Sequence, residues 1–244
     1  MDELPTKPFV CDYQKCNAKC CRNIKGNIDD DSILEQNNER YMHIAVPLKE
    51  LSIAISNHEK EVLSQIAQNK GFKLKLVPQS FVLTKHFEPI IINWQLDYDT
   101  CPFLNNKNEC DIYEHRPLVC KSFPYLKRFE VAPFCTSAIE LRDSGFGLKG
   151  NNMGEIYVYA TIQQTTMQLY AQLIAKLIQN KEVRLFKTSR AINKLKEYKG
   201  TLKTIESFLI DKGLADNKIF DSVNAVANDC KKINLPKEYF ERTD

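Results

Sequence analysis

The sequence predicts an α+β fold in two parts: a small cysteine-rich body with a few strands and helices, then a mostly helical C-terminal part. Three observations carry this. Eight of nine cysteines fall between residues 11 and 135. Short alternating or continuous apolar runs occupy residues 72–96. From about Met153 onward, apolar residues recur at helical spacing. The division is placed at residue 150, giving a cysteine-cluster domain over 1–150 and a helical region over 151–244.

Taken in order, Phe9 to Arg22 is short and cysteine-dense. After Asp29, Asp30 and Asp31, the positions Leu48, Leu51, Ile55, Val62 and Ile66 predict a helix. Pro47 suits its first turn, Gly71 suits the position past its end, and a break is expected near Ser56–Asn57. Phe72, Leu74 and Leu76 alternate with Lys73 and Lys75, which predicts a strand that Pro78 stops. Phe81–Lys85 and Ile90–Leu96 read as two more. Ile156, Ala160, Met167, Tyr170, Ile174 and Leu177 mark a long helix face. Ile192, Leu195, Leu202, Ile205 and Leu209 mark another, weakened by Gly200. Ile219, Val223, Val226 and Cys230 mark a third, with Cys230 read as a core residue because free cysteine favours interiors.

Composition narrows the function. At 43% hydrophobic and 27% charged, the chain is ordinary globular protein. Its 34 basic and 31 acidic side chains are mixed, with no basic stripe, so no nucleic-acid partner is expected. No apolar run approaches the ~20 residues of a membrane helix, and MDELPTKPFV lacks the layout of a signal peptide. A cytoplasmic protein with no membrane association is the expectation. Thiols in a reducing compartment do not form disulfides, and at short spacings they read as metal ligands.

The first cluster is Cys11-x4-Cys16-x3-Cys20-Cys21, and the second comprises Cys101, Cys110, Cys120 and Cys135. Thiolates are soft donors, and four complete either a tetrahedral zinc site or the iron corners of an iron–sulfur cluster. Spacing does not choose between them. Two zinc ions held by eight thiolates would carry about −4 net, which Arg22 and Arg116 are placed to offset; Lys15, Lys19, Lys121, Lys127 and Arg128 also flank the clusters. Tyr113, Phe123 and Tyr125 are candidates for an apolar shell. His43, His58, His86 and His115 share no ligand spacing. Gly145-x-Gly147-x-x-Gly150 follows a poor strand and lacks the acidic residue a dinucleotide site needs, so it reads as a turn.

The runs CNAKCCR, CPFL and CDIYEHRPLVCKSFP, with the later Cys135, resemble the YkgJ-type cysteine-cluster family, described as zinc- or iron-chelating. The resemblance covers roughly Phe9 to Gly150. It implies Cys11, Cys16, Cys20, Cys21, Cys101, Cys110, Cys120 and Cys135 as metal ligands. Two positions depart from the family's pattern: the first cluster is wider than C-x2-C-x2-CC, and Lys121 stands where arginine is common. Flagellin lysine N-methylases contain a similar cluster. That similarity implies an alternative function as an S-adenosylmethionine-dependent iron–sulfur methylase acting on a protein substrate, with Arg116 as the candidate anion-binding residue. A third reading is a metal-stabilised interaction module.

Overall fold

The computed structural model describes residues 11–25, 42–125, 132, 135–141 and 154–228. Cys230, the glycine run 145–150, Lys127 and Arg128 lie outside them. The fold is α+β, and the chain forms two compact units, each from discontinuous stretches. Unit one takes 1–23, 100–165 and 223–244; unit two takes 24–99 and 166–222.

Unit two contains the six strands found among the described residues. The hairpin β3 (Leu76–Thr84) and β4 (Pro89–Leu96) is its axis. β1 (His43–Ile44) and β5 (Val183–Arg184) pair antiparallel with β3, while β2 (Ala54–Ile55) pairs antiparallel and β6 (Lys203–Thr204) parallel with β4. Consecutive residues Phe81, Val82 and Leu83, and likewise Ile90, Ile91 and Ile92, are buried. Burial without alternation means that both faces are covered. One face packs Val82, Ile90 and Ile92 against Leu173, Ile174 and Leu177 of one C-terminal helix and Phe208 and Leu209 of another. Each such side chain contributes about 1.5–3 kcal/mol when fully buried.

The helix expected from Leu48 begins later, at α2 (Asn57–Asn69), where the sequence suggested a break. The reason is a capping box. Ser56 Oγ accepts from Glu59 N at 3.2 Å, and Glu59 Oε2 accepts from Ser56 N at 2.8 Å. Gly71 follows the helix at φ 82°, a conformation that favours glycine. The strand expected over Phe72–Leu76 starts only at Leu76 and runs through Pro78. Proline is tolerated there because the β3–β4 register shifts between Pro78 and Ser80, so a regular ladder bond is not required of it.

A partly buried chain of polar side chains lies within unit two. Trp94 Nε1 donates to Asn57 Oδ1 at 2.7 Å, and Tyr170 Oη donates to Glu206 Oε1 at 2.5 Å. Asn57 Nδ2 joins the two halves through Glu206 Oε2. The C-terminal helices are α5 (Gly154–Gln179), α6 (Thr188–Glu197), α7 (Ile205–Asp211) and α8 (Asn217–Asn228). Gly200 lies between α6 and α7, so the face read through it is two helices rather than one. Thr204 caps α7 by accepting from Ser207 N at 3.2 Å.

Candidate metal centre

All eight cysteines between 11 and 135 fall in unit one, and all are free thiols. Three local devices present them. In the first segment, Asn17 and Ala18 both take left-handed conformations (φ 51° and 49°) immediately before α1 (Lys19–Arg22). Asparagine tolerates this, whereas alanine does so at a cost; Ala18 is buried and donates to Tyr13 O at 2.9 Å. The reversal places Cys20 and Cys21 on a short helical turn, their sulfurs 3.8 Å apart.

The second device is a small loop. Leu104 and Cys110 form an antiparallel bridge, and Asn105 Oδ1 accepts from Lys107 N at 2.8 Å and Glu109 N at 3.0 Å. This Asx-type turn draws Cys101 and Cys110 together. It also gives CPFL and CDI a physical meaning, because each aims amides back at its own sulfur. The N–H groups of Phe103 and Leu104 favour the Cys101 thiolate, and that of Ile112 favours Cys110. Phe103 and Ile112 bury their side chains beneath the loop.

The third device holds the later cysteines. Cys120 sits on α3 (Leu118–Lys121). Cys135 precedes α4 (Thr136–Leu141), and the amides of Ala138 and Ser137 favour its thiolate. Phe123 packs against Ala132, Cys135 and Ala138. Tyr125 is buried and meets the ring of Tyr157 of α5 edge-on, with centroids 5.9 Å apart. Tyr113, expected in the same apolar shell, is 51% exposed instead. It serves Arg116: the guanidinium lies 3.7 Å from the Tyr113 ring centroid, and Nε donates to Tyr113 O at 2.9 Å. His115 is exposed. Lys121 is buried, with Nζ 5.3 Å from the ring of Tyr159.

The two cysteine segments, separated in sequence by unit two's first stretch, are bound to each other. Cys101 N donates to Cys21 O at 2.7 Å, and Thr100 Oγ1 donates to Arg22 O at 3.0 Å. Gln14 Nε2 donates to Lys107 O at 2.9 Å, and Tyr13 Oη to Glu109 Oε1 at 3.0 Å. Asn108 bonds both Asn17 and Arg22. Asp12 N donates to Ser137 Oγ at 3.3 Å, and Lys15 pairs with Glu140 at 2.7 Å. Arg22 is thus committed to the loop.

Electrostatics record the resulting proximity. Burial, then the charges of Cys20, Cys16 and Cys135, push Cys11 up to about 11. Burial, with Cys110 and Cys20, pushes Cys101 up to about 11. Cys20 is raised first by its contact with Cys21 and then by burial. Burial raises Cys110 and Cys135, each also opposed by Cys20. For Cys120, burial dominates, followed by Cys101, Cys20 and Cys110. Cys20 is therefore felt by every other thiol whose titration is clearly displaced. Arg116 acts in the opposite sense, favouring the thiolates of Cys11, Cys20, Cys110 and Cys120.

A thiol set that is crowded, reduced, approached by amides and faced by one guanidinium has the donor chemistry of a zinc or iron–sulfur site. Among the described residues, no three His, Cys, Asp or Glu side chains already close on one point in ligand geometry.

Comparison with known proteins agrees with this donor chemistry. The model of a family described as "CxxCxxCC: Putative zinc- or iron-chelating domain" matches residues 10–137, just over half of the chain. No curated protein and no solved structure gives a significant match. On the extent of that family match, the chain belongs to the CxxCxxCC cysteine-cluster family.

Proposed function

We propose that Cys11, Cys16, Cys20, Cys21, Cys101, Cys110, Cys120 and Cys135 bind metal, as zinc ions or as an iron–sulfur cluster. In this reading the chain is a chelating module whose unit one is ordered by its metal. The observation that carries it is the stapling of 11–22 onto 100–110, which brings two four-cysteine sets into one electrostatically coupled group. Zinc bound there would act as a cross-link or Lewis acid, and an iron–sulfur cluster would carry electrons.

The protein's own groups have separate parts. Cys20, coupled to thiols of both segments, is the central ligand. The amides behind Cys101, Cys110 and Cys135 hold those sulfurs in place and favour their ionised form. Arg116, fixed by Tyr113, offsets the negative charge that thiolates bring. Free thiols at this density suit a reducing compartment. Among the described residues, no helix is long and apolar enough to cross a membrane.

The test is metal and acid-labile sulfide analysis of protein purified without oxygen, with melting curves before and after chelation. Bound metal and a sharply lower melting temperature after its removal are expected. Folded protein that never held metal, with a melting curve indifferent to chelator, would refute the proposal.

A further inference from the structure

The mixture of charge along most of the chain breaks at residues 181–203, which hold eight Lys or Arg against two Glu, a net +6 where the whole chain is +3. The fold of unit two gathers part of this charge around two aromatic rings. At the β3–β4 turn, Phe87 adopts φ 66°, a left-handed conformation that is costly for a bulky side chain. Thr84 holds it there: its carbonyl accepts from Phe87 N at 3.0 Å, and its Oγ1 accepts from His86 N at 3.2 Å and Glu88 N at 3.1 Å. β5 pairs with the same end of β3, Thr84 opposite Val183, and this brings Phe186 to a ring-centroid distance of 5.0 Å from Phe87. α6 then sets the Arg190 guanidinium 5.4 Å from the Phe87 centroid and 5.6 Å from that of Phe186. Lys194, one turn on, has its ammonium 5.8 Å from Phe87.

Lys85 and His86 of the turn, Lys187 before α6, and Arg190 are exposed. Among the described residues, Lys85, Lys187 and Arg190 make no ion pair with a carboxylate. Of the acidic side chains nearby, Glu197 pairs with Lys194 at 2.7 Å and Glu182 with Lys212 at 2.6 Å, while Glu88 of the turn is exposed and accepts from Thr84 Oγ1 at 3.5 Å. Two phenyl rings beneath a guanidinium fix its plane without consuming its hydrogen-bond donors. A fixed fork beside further unpaired cations is arranged for carboxylates.

We propose that the face formed by Phe87, Phe186, Lys187, Arg190 and Lys194 is a docking site for an acidic segment of a partner protein. Charge complementarity identifies the occupant as anionic. Two features favour a peptide over nucleic acid. The Arg190 guanidinium stands 5.4 and 5.6 Å from the two ring centroids and the rings are tilted against each other, which leaves less room for stacking bases. The paired Glu182 and Glu197 also interrupt the continuous cationic track that a phosphate backbone follows.

The experiment uses the full chain as purified and a short fluorescein-labelled Asp/Glu-rich peptide, read by anisotropy at several salt concentrations. A labelled oligothymidylate of equal charge runs in parallel. Arg190→Glu and, separately, Lys187→Glu should each weaken peptide binding about tenfold or more, because like charges are then opposed. Lys73→Glu makes the same change of charge beyond the far end of β3, about 30 Å away along a nine-residue strand. It should weaken binding less than about threefold. Melting curves check that each variant is folded. No peptide binding, equal losses for all three variants, or tighter Arg190-dependent binding of the oligonucleotide would each overturn the assignment.

Discussion

Loading the thiol centre with metal should release close to one proton for every sulfur that becomes a ligand. Without metal, burial and mutual repulsion hold Cys11 and Cys101 up to about 11, and Cys20 and Cys120 are displaced in the same direction. At a pH of about 7.5, a thiol titrating near 11 is ionised in roughly three molecules in ten thousand. The empty centre therefore carries its protons, and a metal taking four thiolates displaces nearly four. Because the metal competes with protons, its affinity should fall as pH falls, about tenfold per pH unit for each proton released. The same shifts act on the metal-free fold with a definite sign. A folded-state pKa raised above the unfolded value favours the folded state at lower pH, and that contribution is lost as pH rises through the folded value. For Cys11 and Cys101 the loss falls between about 9 and about 11. Anaerobic titration calorimetry in two buffers of different ionisation enthalpy gives the proton count directly. Fewer than about one proton per bound metal would refute the reasoning: the sulfurs would then be thiolates already, or not ligands.

Three further outcomes are expected. Cys20→Ser and Cys120→Ser should lower metal stoichiometry while Cys230→Ser leaves it unchanged; loss of metal from Cys230→Ser alone would overturn the ligand set. Tyr170→Phe keeps the ring stacked on Phe220 but deprives Glu206 of a buried donor. It should cost about 1.5–3 kcal/mol, seen as a melting temperature lower by several degrees, and an unchanged value would show that this hydroxyl does not hold the carboxylate. His43 is fully buried, its Nδ1 has no partner, and burial lowers its pKa to about 4. Its folded value lies below the unfolded one, so stability should decline as pH falls from about 6.5 toward about 4, by up to roughly 3 kcal/mol; His43→Phe should flatten this slope, and an identical slope in the variant would contradict the assignment.

The sequence by itself determined the donor chemistry and the local elements. Eight cysteines at short spacings in a chain of otherwise ordinary composition named the candidate ligands, and the family resemblance rested on the same runs. Helix α2 was legible in its body and end, from Val62, Ile66 and Gly71, but its start was read too early because the capping box of Ser56 and Glu59 was not recognised. β4 was legible because the apolar run Pro89–Ile92, continued by Trp94 and Leu96 in alternation, has strand length and few other uses. Where such signals failed, a partner distant in sequence had decided the outcome. Pro78 stays inside β3 because β4 shifts register beside it, and Tyr113 turns outward because Arg116 takes its ring and carbonyl. The basic face on unit two escaped notice because Phe87 and Arg190 are a hundred residues apart and meet only when β5 joins β3. Above all, tertiary structure decided that Cys21 and Cys101 would be bonded neighbours. Ligand type is a property of a side chain, but nearness across a long insert depends on the insert folding upon itself and returning the chain to where it left.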